Sequence, residues 1–258
     1  MHYWHQASWR SERNNGSISN WNGYQEQTVK DKKLEGAHVA LIAMGKSNGN
    51  YNTAVANGCE YDEVWGINVI GAVLPVDRVF MMDPASRFLD SEVAGTQTKP
   101  MRKMLTNKQK FPIYTCVLDE RCPSLVEYPL AEVVRETKIC YFNNTAAYAL
   151  AFAAAQGIGK ISLFGLDYGY RTNVFMAEAG RACAEFWLAT LSARGVQIEV
   201  APESTLLDTN TPDNEKLYGY HRLPDPLVVT TEGDNMTIQR MSMAEHPPEP
   251  KDPILYRG

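Results

Sequence analysis

Short apolar runs punctuate the chain from residue 37 onward. His38 to Ala43 (HVALIA), Glu63 to Asn68 (EVWGIN), Asp77 to Asp83 (DRVFMMD) and Pro112 to Val117 (PIYTCV) are the first four. Lys138 to Phe142 (KICYF), Lys160 to Leu166 (KISLFGL) and Val196 to Ala201 (VQIEVA) complete the set. Each is apolar on both faces, which predicts strands covered on both sides, as in a parallel sheet between helices. Helical patterns lie between them. Thr145 to Gln156 is apolar nearly all round and predicts a buried helix stopped by Gly157. Ala177 to Arg194 sets Cys183, Phe186, Trp187, Thr190 and Leu191 on one stripe, with Gly195 as the stop. Strand, helix and strand in alternation, joined by right-handed crossovers, predict an α/β fold with an open, doubly wound, mostly parallel sheet.

The two ends read differently. Residues 1–36 are a polar arm without periodicity that carries Trp4, Trp9 and Trp21, with Tyr3 and Tyr24 between them. Such aromatics dock either on the protein's own body or on a partner subunit, and a homo-oligomer is expected. Residues 37–207 form the nucleotide-binding domain of this reading, and 208–258 a C-terminal extension. From residue 203 on, ten Asp/Glu face five Lys/Arg, and the prolines of EHPPEPKDP favour an extended tail. One further strand is possible at Leu227 to Thr231.

Composition narrows the function classes. A net charge of −5 supplies no global positive field for nucleic acid. KPMRKMLTNKQK (99–110) is the local exception, with five Lys/Arg and no acid. It reads as a solvated helix face or as a contact for a phosphate-rich acceptor or nucleic acid. The longest apolar run, Ala146 to Ala155, is about half the roughly 20 residues a membrane span requires. The N-terminal residues have neither an apolar core nor a basic leader, so no signal peptide is read there. Five scattered cysteines do not make a disulfide framework, and a cytoplasmic location is expected. Cys116 and Cys122 lack a second ligand pair for zinc, and no Gly-x-Ser-x-Gly elbow is present.

Ligands of open α/β sheets bind beyond the carboxyl ends of the strands, so the residues after each run are the candidates. Met44-Gly45-Lys46-Ser47-Asn48-Gly49-Asn50 follows the first, and its small residues, hydroxyl, lysine and backbone amides suit a phosphate. It has neither P-loop nor GxGxxG spacing. Asn68 closes the second run. Asp83, before Pro84, is either a site carboxylate or a helix cap. Asn143-Asn144-Thr145 opens the buried helix, where Thr145 caps it or the helix end holds an anion. Gly165-Leu166-Asp167-Tyr168-Gly169-Tyr170 follows the sixth run with a carboxylate and two aromatics suited to a ribose or a base. Their convergence on one edge predicts a nucleotide or phosphorylated ligand.

NNTAAYALAFAAAQGIGKISLFGLDY (143–168), IEVAPESTLL (198–207) and the Gly45-Lys46-Ser47 turn resemble a superfamily of Rossmann-like transferases over roughly residues 38–207. It includes the bacterial lipooligosaccharide sialyltransferases and the archaeal hydroxymethylpterin diphosphokinase-type domain; uncharacterised tailed-bacteriophage proteins look similar. The resemblance implies a sialyltransferase-like fold. It matches Gly45 and Ser47 to the family's first loop, where Met44 replaces the nucleotide-contacting Asn. It also matches Asn68, Asp83, Thr145 beside Asn144, and Gly165 with Asp167 to positions that surround the cytidine nucleotide without a metal. The family's histidine before the helix near Ala177 is missing; the sequence there is Arg171-Thr172-Asn173-Val174-Phe175-Met176. His221 is the histidine able to swing over the site, and Asp83, Asp167 and Glu178 are alternative bases.

These readings predict a nucleotide-dependent transferase, foremost a metal-independent glycosyltransferase without a resident cofactor. Gly45, Lys46, Ser47, Asn144 and Thr145 would hold the donor's phosphates. Asn68, Asp167 and Tyr168 would orient the base or ribose. Asp83 or His221 would take the acceptor's proton. A diphosphotransferase using ATP, with Mg2+ on Asp83 or Asp167, is the alternative. A non-catalytic phage nucleotide-binding or assembly protein is another; for a phage protein the location would be the host cytoplasm and phage DNA a conceivable acceptor.

Overall fold

In a computed structural model of the chain, residues 34–169, 173–212, 216, 227–232 and 235–243 are described. Trp4, Trp9, Trp21 and His221 lie outside them. Seven parallel strands form the central sheet: β1 (His38–Ile42), β2 (Glu63–Ile67), β3 (Arg78–Phe80), β4 (Ile113–Thr115), β5 (Leu125–Glu127), β6 (Lys160–Phe164) and β7 (Gln197–Val200). Their spatial order is β5-β4-β3-β2-β1-β6-β7. The chain therefore winds outward from β1 in one direction, then returns to β1's other side for β6 and β7. The fold is the expected Rossmann-like open sheet, with its order reversal between β1 and β6.

Alternate side chains of each strand feed two cores. Val39 and Leu41 of β1, Trp65 and Ile67 of β2, Phe80 of β3 and Ile161 and Leu163 of β6 point to one face. There α5 (Leu130–Thr137), α6 (Thr145–Gln156) and α7 (Val174–Ala193) cover them. Val79 of β3, Met81 just beyond it and Ile113 of β4 point to the other face, under α3 (Ser86–Leu89) and α4 (Thr98–Thr106). Ala40 and Ile42 of β1, with Phe164 of β6, complete that face against α1 (Gly49–Ala56) and α2 (Ile70–Val73). Ten of the twelve α6 residues are buried, and its alanines let the helix lie close on the sheet. Phe152 of α6 reaches between Trp65 and Tyr114, with ring centroids 5.6 and 5.1 Å away.

The stretch 138–142 is not a strand. Lys138 takes a left-handed conformation that ends α5, and the Tyr141 carbonyl accepts the Trp187 indole N–H at 2.8 Å. Phe142 lies between Tyr148 and Trp187, at 4.7 and 5.4 Å. With its apolar residues claimed by α6 and α7, the segment bridges helices and does not join the sheet. The fifth strand in sequence is instead Leu125–Glu127, which Pro123 and Pro129 had disguised as a loop. α7 begins three residues earlier than expected because the Asn173 side chain accepts the Met176 N–H and caps it. Leu34, assigned to the arm, is wholly buried in the core.

In the basic stretch, Met101, Met104 and Leu105 turn inward on α4 while Lys99 and Lys103 face solvent. Arg102 donates to the Phe88 carbonyl and to Glu92. The solvated-face reading fits. Near the C-terminus β8 (Leu227–Glu232) pairs antiparallel with β9 (Asn235–Arg240).

One ion pair is buried in the larger core. Arg78 donates to both Glu63 oxygens, at 2.6 and 3.0 Å, and to the Tyr114 hydroxyl at 3.1 Å. Trp65 also donates to Glu63, at 2.8 Å. Glu63 and Arg78 side chains are only 4% and 13% exposed. Removing one partner strands the other charge in the core, so Glu63→Ala is expected to cost about 3–5 kcal/mol of unfolding free energy by denaturant titration. The double change Glu63→Leu with Arg78→Met should recover most of it.

A second polar cluster predicts the acid response. His38 Nε2 lies 2.9 Å from the Ser162 hydroxyl, which donates to Glu199 at 2.8 Å. Lys160 pairs with Glu199 at 2.7 Å, and the Tyr61 ring packs on His38. Burial, then the Lys160 charge, lowers the His38 pKa from 6.5. Burial opposes the Glu199 carboxylate, but the Lys160 and Ser162 hydrogen bonds outweigh it and hold its pKa below 4.5. In both cases the unfolded chain binds the proton first. Stability should therefore fall as pH drops from 6.5 through His38's lowered folded value, then again below 4.5 as Glu199 protonates. Denaturation midpoints across this range check it, and His38→Gln should flatten the upper step only.

Candidate functional site

The carboxyl edge of the sheet carries the candidate residues, and β1 and β6 set its geometry. The β1 loop enters a short 3-10 turn, Lys46–Asn48, which runs directly into α1. The first amides of such a helical start seek an acceptor. Asp167, beyond β6, supplies it. Its carboxylate accepts the Ser47 backbone N–H at 2.8 Å and the Ser47 hydroxyl in a short hydrogen bond. The same hydroxyl accepts the Gly165 N–H at 2.9 Å, and Gly45 N–H donates to the Gly165 carbonyl at 2.8 Å. Ser47 is completely buried.

Two glycines make this approach possible. A Cβ on Gly45 would lie 2.6 Å from the Gly165 carbonyl oxygen and 2.7 Å from the Asp167 carboxyl carbon. Gly165 has φ +72°, and a Cβ there would strike the Ala43 carbonyl. The expected phosphate cradle is thus closed by the protein's own carboxylate. Of its members, Lys46 is exposed, whereas Gly45, Ser47 and Asp167 form an internal clasp. The β6 loop is also held from the β7 side, where Ser204 donates to the Leu166 carbonyl at 3.1 Å and Thr205 to the Asp167 carbonyl.

Asn68 stands at the end of β2 in a left-handed conformation, φ +51°, with its N–H donating to the Phe80 carbonyl at 3.0 Å. Its side-chain oxygen is sealed from solvent and accepts no hydrogen bond among the described residues. A buried acceptor left open costs about 1–3 kcal/mol, and such sites mark places where a ligand or water completes the set. Asn50, in the first turn of α1, carries a second such oxygen. Residue-type reading singled out Asn68 but not Asn50, because only the fold buries that oxygen.

Asp83 is neither a cap nor free. The helix after it starts at Ser86, and the Asp83 carboxylate pairs with Arg87 at 2.8 Å while staying partly exposed. Asn144, not Thr145, caps α6: its side-chain oxygen accepts the Ala147 N–H at 2.9 Å, and its Nδ2 donates to the Gly180 carbonyl of α7 at 2.9 Å. Thr145 is the first helical residue. Tyr168, φ +48°, leans its ring on α7 at Gly180.

An open volume of about 290 Å3 lies past β6 and β7. Tyr168, Val174 and Ala177 make its apolar side, and Glu178, Arg181 and Thr205 its polar side. Glu178 is the residue here that the sequence had offered as an alternative base. Among the described residues no three His, Cys, Asp or Glu gather as a metal-binding group. With Asp167 accepting twice from Ser47 and Asp83 paired to Arg87, the residues do not fit the Mg2+ that ATP chemistry would place on them. All five cysteines are free thiols, and no helix among the described residues is long and apolar enough to cross a membrane.

Comparison with protein-family models finds no match, nor does comparison with curated proteins. Among solved structures, the sialyltransferase CstII from Campylobacter jejuni in complex with the substrate analogue CMP-3FNeuAc is similar, at 18% identity and a TM-score of 0.39. The match covers 66% of this chain and 82% of that one. The same enzyme with cytidine-5'-monophosphate is similar at 15% identity and a TM-score of 0.38, with the same coverage.

If the clasp organises the edge, Asp167→Ala should cost roughly 3 kcal/mol, the worth of charge-assisted hydrogen bonds to a buried hydroxyl and amide. Denaturant unfolding measures the loss, and amide exchange should show the Ser47 N–H losing protection first. Gly45→Ala should be at least as damaging.

Proposed function

We propose that the protein is a nucleotide-dependent transferase that moves a sugar from a nucleotide sugar to an acceptor hydroxyl. The observation that carries this reading is the meeting of the β1, β2, β3 and β6 loops at the carboxyl edge of an all-parallel sheet, beside the β1–β6 order reversal. Lys46, exposed at the start of the β1 loop, would face the donor phosphates. The resemblance of residues 38–207 to Rossmann-like transferases supports the same assignment. Ser47 and Asp167, by contrast, serve the reading by fixing the loops.

In the transfer, the acceptor oxygen attacks the anomeric carbon as the bond from that carbon to the phosphate oxygen breaks. The bonding pair leaves on the phosphate, where the exposed Lys46 ammonium stabilises the added charge. The acceptor's proton passes to a carboxylate, for which Asp83 is the partly exposed candidate.

A thermal-shift panel of CMP, CTP, ATP and UDP-sugars, each with and without Mg2+, tests this. A nucleotide sugar at a hundredfold its Kd should raise Tm by roughly 5–10 °C without metal. Asn68→Ala should weaken that binding about tenfold, the worth of one hydrogen bond, while leaving the fold intact by circular dichroism. No shift with any nucleotide removes the proposal; a shift by ATP only with Mg2+ replaces it with the diphosphotransferase.

A further inference from the structure

Helix α7 is apolar on two opposite sides. Its inner side, with Ala177, Ala184, Leu188 and Leu191, is buried. On the outer side Phe175, Ala179, Ala182, Phe186, Ala189 and Ala193 recur at alternating steps of four and three residues. With about 3.6 residues per turn they form one stripe, about 180° around the helix from the inner side. Every member except the half-buried Ala179 is exposed. Phe175 and Phe186 are 80% and 42% exposed. Tyr141, whose ring stands edge-on to Phe186 at 5.4 Å, is 41% exposed. The inner side needs apolar residues for the core, but a solvated side does not. An apolar 4–3 spacing there is the pattern that meets a second helix. Among the described residues no element covers the stripe.

The order of large and small residues selects the partner. A second copy of α7, turned antiparallel about a two-fold axis at the level of Ala184, brings Phe175 level with the partner's Ala193. Ala179 then meets the partner's Ala189, and Ala182 the partner's Phe186. Each ring lies against an alanine, whereas a parallel pair in register would set ring on ring and leave gaps between alanines. The stripe carries no charge. Glu185, the acid nearest the axis, accepts from Arg181 Nε at 2.8 Å and from the Leu207 N–H at 3.1 Å, so its charge is answered within its own copy. The three exposed rings with the alanines between them offer on the order of 500 Å2 per copy, at 150–250 Å2 for a whole aromatic side chain. A two-fold pair therefore buries about 1,000 Å2, the size at which specific interfaces begin.

We propose that the outer stripe of α7 is a homodimer interface, in which the helices of two copies pack antiparallel about a two-fold axis at Ala184. This pairing does not depend on the transferase reading.

Sedimentation equilibrium of the full chain tests it. An interface of this size should give a dimer with a dissociation constant on the order of 10 µM. Ala182→Glu places an unpaired charge in the contact and should weaken the dimer about tenfold or more. Its position is exposed and helical, so the circular dichroism spectrum should stay that of the parent. Ala182→Phe sets ring against ring and Phe186→Ala leaves a gap, and each should weaken the dimer about tenfold. The two changes together restore ring against alanine and should bring the dissociation constant back to within about threefold of the parent. A chain still monomeric at about 100 µM overturns the proposal and leaves the stripe to another segment of the chain or another protein. A dimer indifferent to Ala182→Glu overturns it as well, and so does a double variant no better than the single ones. None of these outcomes bears on the nucleotide panel.

Discussion

The carboxylate of Asp167 does for this protein what a bound anion does for many nucleotide-binding loops. It sits at the helical start that follows β1 and takes up the Ser47 amide and hydroxyl. Everything at the carboxyl edge depends on that contact. It fixes the β1 loop to the β6 loop across the order reversal, and Ser47 in turn accepts from the Gly165 amide. Thr205 and Ser204 extend the tie to the segment after β7. Three segments distant in sequence are thereby held as one rim.

Much of the architecture was legible because burial on both faces leaves an unmistakable mark. HVALIA, KISLFGL and the alanine-rich helix read correctly since their positions in a two-layered core demand apolar residues throughout. KICYF misled for the same reason. An apolar run records contact with a core and not partner type, and Phe142 packs half-buried against helices rather than in a sheet. Leu125–Glu127 was missed because three residues between prolines carry too little periodicity to be seen. The ion pair of Glu63 and Arg78 is illegible locally, as the two lie fifteen residues apart and meet only when β2 and β3 align in register.

The candidate site was legible in its residues but not in their roles. The resemblance and the strand-end rule together found Gly45, Ser47, Asn68, Asp83 and Asp167, and the sheet does bring their loops to one edge. A residue type does not say whether its hydrogen bonds are spent internally. Ser47 and Asp167 spend theirs on each other, Asn144 on a cap, and Asp83 on Arg87. Asn68 alone among them holds a sealed oxygen that accepts nothing among the described residues. Polarity alone does not separate a group with hydrogen-bonding capacity to spare from one whose capacity is spent inside the fold.

The same accounting bears on where an anion can go. To occupy the β1 loop, a phosphate would have to displace Asp167 from Ser47, losing charge-assisted bonds worth roughly 1.5–3 kcal/mol each. It would also have to relocate a carboxylate into a neighbourhood that already holds a second negative charge, the phosphate itself. A phosphate gains about as much from the same donors as the carboxylate does, so the exchange yields no net attraction. Binding beside the clasp avoids that cost, since Lys46 and Asn68 need release no internal partner among the described residues. An anion at this edge is therefore drawn to the exposed Lys46 and not to the Ser47 amide, which Asp167 already fills.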